Sequence, residues 1–153
     1  MKQGGGRRKG AAFERDIARE LDAELGIAFR RDLIQYQERG RGDLVRVDGE
    51  PFPFIIECKR YAKGPIRPEM WRQACDAARM AGAMPALVCR FDRGPVIVRI
   101  PFAAFVRMAE GCGTYAWDNY CECDLKAFCM VAREILAVES KGGMRVKGVE
   151  NTR

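Results

Sequence analysis

Apolar residues recur every three or four positions near the start of the chain. Phe13, Ile17, Leu21 and Leu25 fall on one stripe, which predicts an amphipathic helix over residues 11–25 stopped by Gly26. The period then shortens. Residues 30–37 mix polar and apolar positions and predict a strand, and residues 44–47 predict a second. Residues 52–59 predict a third and central strand, with Pro51 and Pro53 confined to its start. Asp48-Gly49 marks the turn between the last two. Pro68 opens a helix running to Met80 or Ala81. Its apolar face of Trp71, Ala74, Cys75, Ala78 and Ala81 is small-sided, which lets it lie close on a sheet. Residues 86–91 and 96–100 predict two more strands around a hairpin turn at 92–95. Residues 101–110 predict a helix, 111–123 an irregular aromatic stretch, and 125–138 a last amphipathic helix.

Two of these strands carry charges that do not belong in an oily pattern. Alternate side chains of a strand share a face, so Glu57 and Lys59 point one way while Ile56 and Cys58 point the other. A carboxylate and an ammonium closing an apolar strand cost free energy unless they have a task. If the strands at 44–47 and 52–59 pair, Asp43 approaches Glu57. Two carboxylates beside a lysine suit a magnesium ion with a charged group next to it. Glu14 lies in one helical row with Ala18, Leu21 and Leu25, at the edge of the buried stripe. It can reach a metal site under the helix, or it can be a solvated acid paired with an arginine one turn on.

Asp43 with Glu57-Cys58-Lys59 resembles the signature of the PD-(D/E)XK nucleases. The run Lys9-Gly10-Ala11-Ala12-Phe13-Glu14-Arg15 resembles the first helix of the archaeal and phage Holliday junction resolvases in that superfamily. The likeness extends from Lys9 to Pro101. Gly42 stands where a proline usually precedes the aspartate, and no serine precedes Ser140, whereas these resolvases often carry one in the loop before the aspartate. The resemblance implies an α/β, restriction-endonuclease-like fold, a mixed central sheet flanked by helices with an αβββαβ core. It implies Mg²⁺, with Mn²⁺ able to substitute. Asp43 and Glu57 would hold the ion, the backbone carbonyl of Cys58 would add a ligand, and Glu14 would complete the site. Lys59 would orient the attacking water or stabilise the phosphate charge, and Gln73 would lend a polar group from the following helix. The implied activity is that of a structure-selective endodeoxyribonuclease acting on branched DNA as a homodimer. Two alternatives stay open: a nuclease of the same fold acting on linear or single-stranded DNA, and a nucleic-acid-binding module without catalysis.

Composition narrows the classes. The formal net charge of +6 suits a nucleic-acid partner. Arg7, Arg8 and Lys9 close a glycine-rich basic arm over residues 1–9, read as flexible. Arg39 and Arg41 sit in a glycine-rich loop suited to phosphates, and Arg60, Lys63 and Arg67 cluster just past the strand that carries Glu57. The nuclease-like domain is read over residues 10–139 and a disordered tail over 140–153. Residues 96–105 are read as the dimer face. With no histidine in the chain, Ser-His-Asp and Cys-His catalysis are excluded, as is histidine-ligated zinc. Cys112, Cys121, Cys123 and Cys129 lack the paired spacing of a zinc site and read as reduced thiols packed like small apolar groups. The basic start lacks a following apolar run, and no stretch is long and apolar enough to span a bilayer. A cytoplasmic protein without membrane contact is expected.

Overall fold

The computed structural model describes residues 4–34, 40–110 and 117–146. Its elements are α1 (Gly4–Leu25), β1 (Phe29–Arg31), β2 (Leu44–Arg46), β3 (Phe54–Tyr61), α2 (Pro68–Ala81), β4 (Met84–Phe91), β5 (Val96–Pro101), α3 (Ala103–Glu110), β6 (Tyr120–Cys123) and α4 (Leu125–Val146). The six strands lie side by side in sequence order. Only β3 and β4 are parallel; every other neighbouring pair is antiparallel. The first six elements reproduce the αβββαβ order, and the sheet is mixed with helices on both faces.

The sequence explains the layering. Met84 to Cys89 are all buried, as a central strand covered on both faces requires. Alternate residues of β3 and β4 serve different cores. Phe54, Ile56, Cys58, Ala86 and Val88 pack against Phe13, Ile17 and Leu21 of α1 and Phe128, Ala132 and Ile135 of α4. On the opposite face Leu87 and Cys89 pack against Met70, Trp71, Ala74 and Cys75 of α2. α2 begins with Pro68 at its first turn and ends at Gly82, whose φ of +67° suits glycine. The amide of Gly82 donates to the carbonyl of Arg79.

Several elements depart from the sequence pattern. α1 starts at Gly4, not residue 11. A helix nucleated by Phe13, Ile17 and Leu21 propagates through Arg7, Arg8 and Lys9, which are good helix formers, despite the glycines around them. β1 stops at Arg31, because the Asp32 carboxylate turns the chain by accepting the amide of Ile34. Part of the stretch read as irregular is β6, in which Tyr-Cys-Glu-Cys alternates and Cys123 pairs with Val98. α4 passes Ser140, whose hydroxyl stays in the helix by donating to the Leu136 carbonyl, and continues to Val146. The proposed dimer face over residues 96–105 is mostly interior, because β5 is paired on both sides; Phe102 and Phe105 remain exposed. Cys121 and Cys123 pack against the core and Cys129 is buried within it. Burial pushes the Cys121 thiol up, and the Cys123 and Cys129 thiols up to about 11. Cys112 lies outside the described residues.

Candidate active site

The site forms where β2 meets β3. The Asp43 amide donates to the Ile56 carbonyl at 2.8 Å and Leu44 pairs with Ile56, so Asp43 lies across from Glu57. One carboxylate oxygen of Asp43 accepts the Cys58 amide at 2.7 Å, which fixes the side chain against β3. Glu57 pairs with Leu87 and Lys59 with Cys89, so both project on the α2 face, while Cys58 turns into the α1 core. The Lys59 ammonium lies 3.9 Å from a Glu57 oxygen.

This packing leaves negative charge under-compensated. The Asp43 carboxylate lies beside Glu57, near enough for its charge to act on it. Burial pushes Glu57 up to about 8; the Asp43 charge adds to this and Glu14 adds a little more, while Lys59 pulls the other way. Near neutral pH Glu57 therefore holds its proton in the metal-free fold. Among the described residues no group of three His, Cys, Asp or Glu side chains is placed to hold a metal ion. Mg²⁺ does not require one, since it keeps several waters and commonly takes one or two carboxylates plus substrate phosphate. Two adjacent acids, one of them held protonated by burial and by the other's charge, fit that donor set. The Cys58 thiol is buried and pushed well above its ordinary range, so only its carbonyl qualifies as a ligand.

Glu14 approaches from α1, near enough for its charge to act on Glu57 and Cys58. Its carboxylate accepts the Arg31 guanidinium at 2.5 Å. Arg31 was not singled out in the sequence: it lies 17 positions from Glu14 and meets it only because β1 packs beside α1. A groove of about 520 Å³ opens beside them, lined by Arg7, Gly10, Ala11, Glu14 and Arg31.

Asp32 also escaped the sequence reading, and it is fully buried. It accepts Arg41 Nε at 2.5 Å and the Ile34 amide at 3.0 Å, while its own amide donates to the Asp43 carbonyl at 2.8 Å. Burial raises its pKa, but the bond from Arg41 and the Ile34 amide outweigh that and hold the carboxyl below its usual range. Arg41, read as a phosphate contact, is thus drawn inward to clamp the loop that presents Asp43. The glycines beside it are sterically required. A Cβ on Gly42 would lie 2.6 Å from the Ile56 carbonyl oxygen, and one on Gly40 would lie 2.8 Å from Met80 Cβ. Asp32→Asn should cost about 2–3 kcal/mol of stability, because it removes the buried charge that the Arg41 guanidinium and the Ile34 amide bond to. It should also weaken metal binding through Asp43. Thermal melts and calorimetric metal titration check both effects, and an unchanged melt would remove Asp32 from this role.

The remaining sequence candidates scatter. Arg7, Arg8 and Lys9 are exposed on the first turns of α1. Arg60 is tied to Asp92 at 2.7 Å, Lys63 is exposed, and the Arg67 guanidinium lies 5.5 Å from the centre of the Tyr61 ring. Gln73 is exposed on α2, and among the described residues no hydrogen bond joins it to the carboxylates. Arg39 lies outside the described residues. Among the described residues no helix is long and apolar enough to cross a membrane.

Comparison with known proteins gives two likenesses. The model of a family described as phage putative PDDEXK endonuclease matches residues 5–120, more than half of the chain. A solved structure of Archaeoglobus fulgidus Hjc, a Holliday junction resolvase from an archaeal hyperthermophile, is 21% identical. The match covers 81% of this chain and 98% of that one, with a TM-score of 0.47. No curated protein matches the sequence.

Proposed function

Because the chain belongs to the phage putative PDDEXK endonuclease family, we propose that it hydrolyses DNA phosphodiester bonds at the Asp43–Glu57–Lys59 site with Mg²⁺ as cofactor. The observation that carries this reading is the meeting of the Asp43 and Glu57 carboxylates where β2 joins β3, with the Lys59 ammonium 3.9 Å from Glu57. Asp43, Glu57 and the Cys58 carbonyl would hold the ion, and Mn²⁺ would substitute. When bound, a divalent cation supplies Lewis-acid neutralisation of phosphate charge and acidifies water.

The chain's own groups do the rest. Lys59 is positioned by its neighbour Glu57 and keeps a quarter of its side chain exposed, which lets it donate to a phosphate oxygen or orient the attacking water. Glu14, held by Arg31, keeps a further negative charge near the pair. Arg7, Arg8 and Lys9 line the approach as phosphate contacts, with Lys63 and Arg67 on the loop after β3. The form of the activity we favour is resolution of branched DNA, from the opening-helix run Lys9 to Arg15. One site cuts one strand, so symmetric resolution needs a two-fold dimer. Phe102 and Phe105, exposed and 6.2 Å apart, are the part of the β5–α3 region left to make it. Such an enzyme would work in the cytoplasm of a phage-infected cell.

The test is cleavage of a four-way junction, a matched duplex and single strands. Paired nicks in opposed strands of the junction, dependent on Mg²⁺ and lost with chelator, are expected. Equal cutting of linear substrates would keep the nuclease and remove the resolvase. Tight binding with no cleavage in Mg²⁺ or Mn²⁺ would leave a binding module.

A further inference from the structure

We propose that Tyr61 is a stacking surface for an unstacked nucleobase of the DNA strand entering the site, and so biases the enzyme toward non-duplex DNA. The inference rests on the nuclease reading for its ligand. Glu57, Lys59 and Tyr61 alternate along β3 and share one face. At about 3.3 Å per residue, Tyr61 lies about 7 Å beyond Lys59, roughly two stacked bases along a strand.

The surroundings of this ring are built to hold it and leave it open. Phe91, its partner on β4, is taken up by the loop after β3: a Cβ on Gly64 would come within 3.2 Å of the Phe91 ring. That contact folds the loop back and sets the Arg67 guanidinium 5.5 Å from the Tyr61 ring centre. The cation fixes the ring on one side. Tyr61 nevertheless stays 37% exposed and lines a groove of about 450 Å³ with Gly5, Gly6, Lys9, Arg60 and Ala62.

The groove has the chemistry of a base subsite rather than of a second phosphate site. Gly5 and Gly6 present no side chains, and nothing lies within 4 Å of where their Cβ atoms would be. Arg60 is neutralised by Asp92 at 2.7 Å. That leaves an aromatic face, a glycine wall and Lys9, a pattern that fits one base with its phosphate. Aromatic faces accept any base, because every base has a π-face. A base inside a matched duplex is already stacked on both sides, so only a branch, loop or end supplies a free one.

The test uses the full-length chain and branched DNA carrying 2-aminopurine at successive positions around the branch, with chelator present so that no cleavage occurs. Wild type and Tyr61→Phe should quench one position strongly, and Tyr61→Ala should not. The preference for branched over duplex DNA, as a ratio of Kd values, should fall about 5- to 100-fold in Tyr61→Ala, the range expected for one lost base stack. Tyr61→Phe should keep it, which separates stacking from a folding defect. Unchanged quenching and preference in Tyr61→Ala, in a wild type that cleaves, would overturn the inference and leave the nuclease standing. Tyrosine-dependent quenching in a wild type that never cleaves would uphold the stacking surface and overturn the nuclease.

Discussion

Asp43→Asn, Glu57→Gln and Lys59→Ala should each lower Mg²⁺-dependent cleavage by about 10³-fold or more, for two different reasons. Asp43 and Glu57 are the side-chain acids that meet at β2 and β3. Removing either charge leaves a single carboxylate, so metal affinity falls along with the rate, and raising Mg²⁺ should recover part of the loss. Lys59 acts otherwise. Its ammonium lies 3.9 Å from Glu57 and opposes a cation there. Lys59→Ala should therefore bind metal at least as tightly as wild type, by calorimetry, yet turn over poorly at saturating Mg²⁺. The opposite pattern, in which Lys59→Ala loses metal and keeps its rate once saturated, would make Lys59 a structural partner of Glu57. Full activity in any of the three would take that residue out of the mechanism.

That site was legible because its residues are out of place. A glutamate and a lysine ending an apolar strand, after an aspartate ending a glycine loop, break the pattern that burial imposes. The helical stripe of Phe13, Ile17 and Leu21 and the central strand were legible for the complementary reason, since they follow the pattern. What stayed hidden depends on the chain meeting itself. Asp32 and Arg41 are nine positions apart, in a stretch whose polar residues read as strand and phosphate loop. Only the return of β2 beside β1 brings the buried Asp32 to the half-buried Arg41 and so positions Asp43. Arg31 joins Glu14 through the packing of β1 beside α1. Glycines near the start signalled a flexible arm, but helix propagation from a buried segment overrides weak local propensity. β6 was masked by the aspartate and asparagine before it, and its four residues become a strand by pairing with β5.

Glu57 should also make the metal-free protein less stable as pH rises, and the sign follows from the proton count. An unfolded glutamate loses its proton near 4.5, whereas burial and Asp43 keep the folded one protonated to about 8. Between those values the folded state binds more protons than the unfolded state, so stability falls with pH, by up to about 1.4 kcal/mol per pH unit. Most of the loss has accumulated by pH 8, on the order of 4 kcal/mol, a large share of a typical domain's stability. Glu57→Gln removes the ionisation. Its melting temperature should stay nearly flat from pH 5 to 8, and at pH 8 with chelator the inactive variant should outlast the wild type. A divalent cation reverses the ranking, because it favours the charged form of Glu57 that the empty fold resists. Mg²⁺ should accordingly stabilise wild type more at pH 8 than at pH 6, and stabilise Glu57→Gln little at either. Thermal melts of both proteins across this range, with chelator and with Mg²⁺, measure each part of the argument. Parallel pH profiles for the two proteins under chelator would show that Glu57 ionises normally in the fold, and would remove the proton-for-metal exchange from the site.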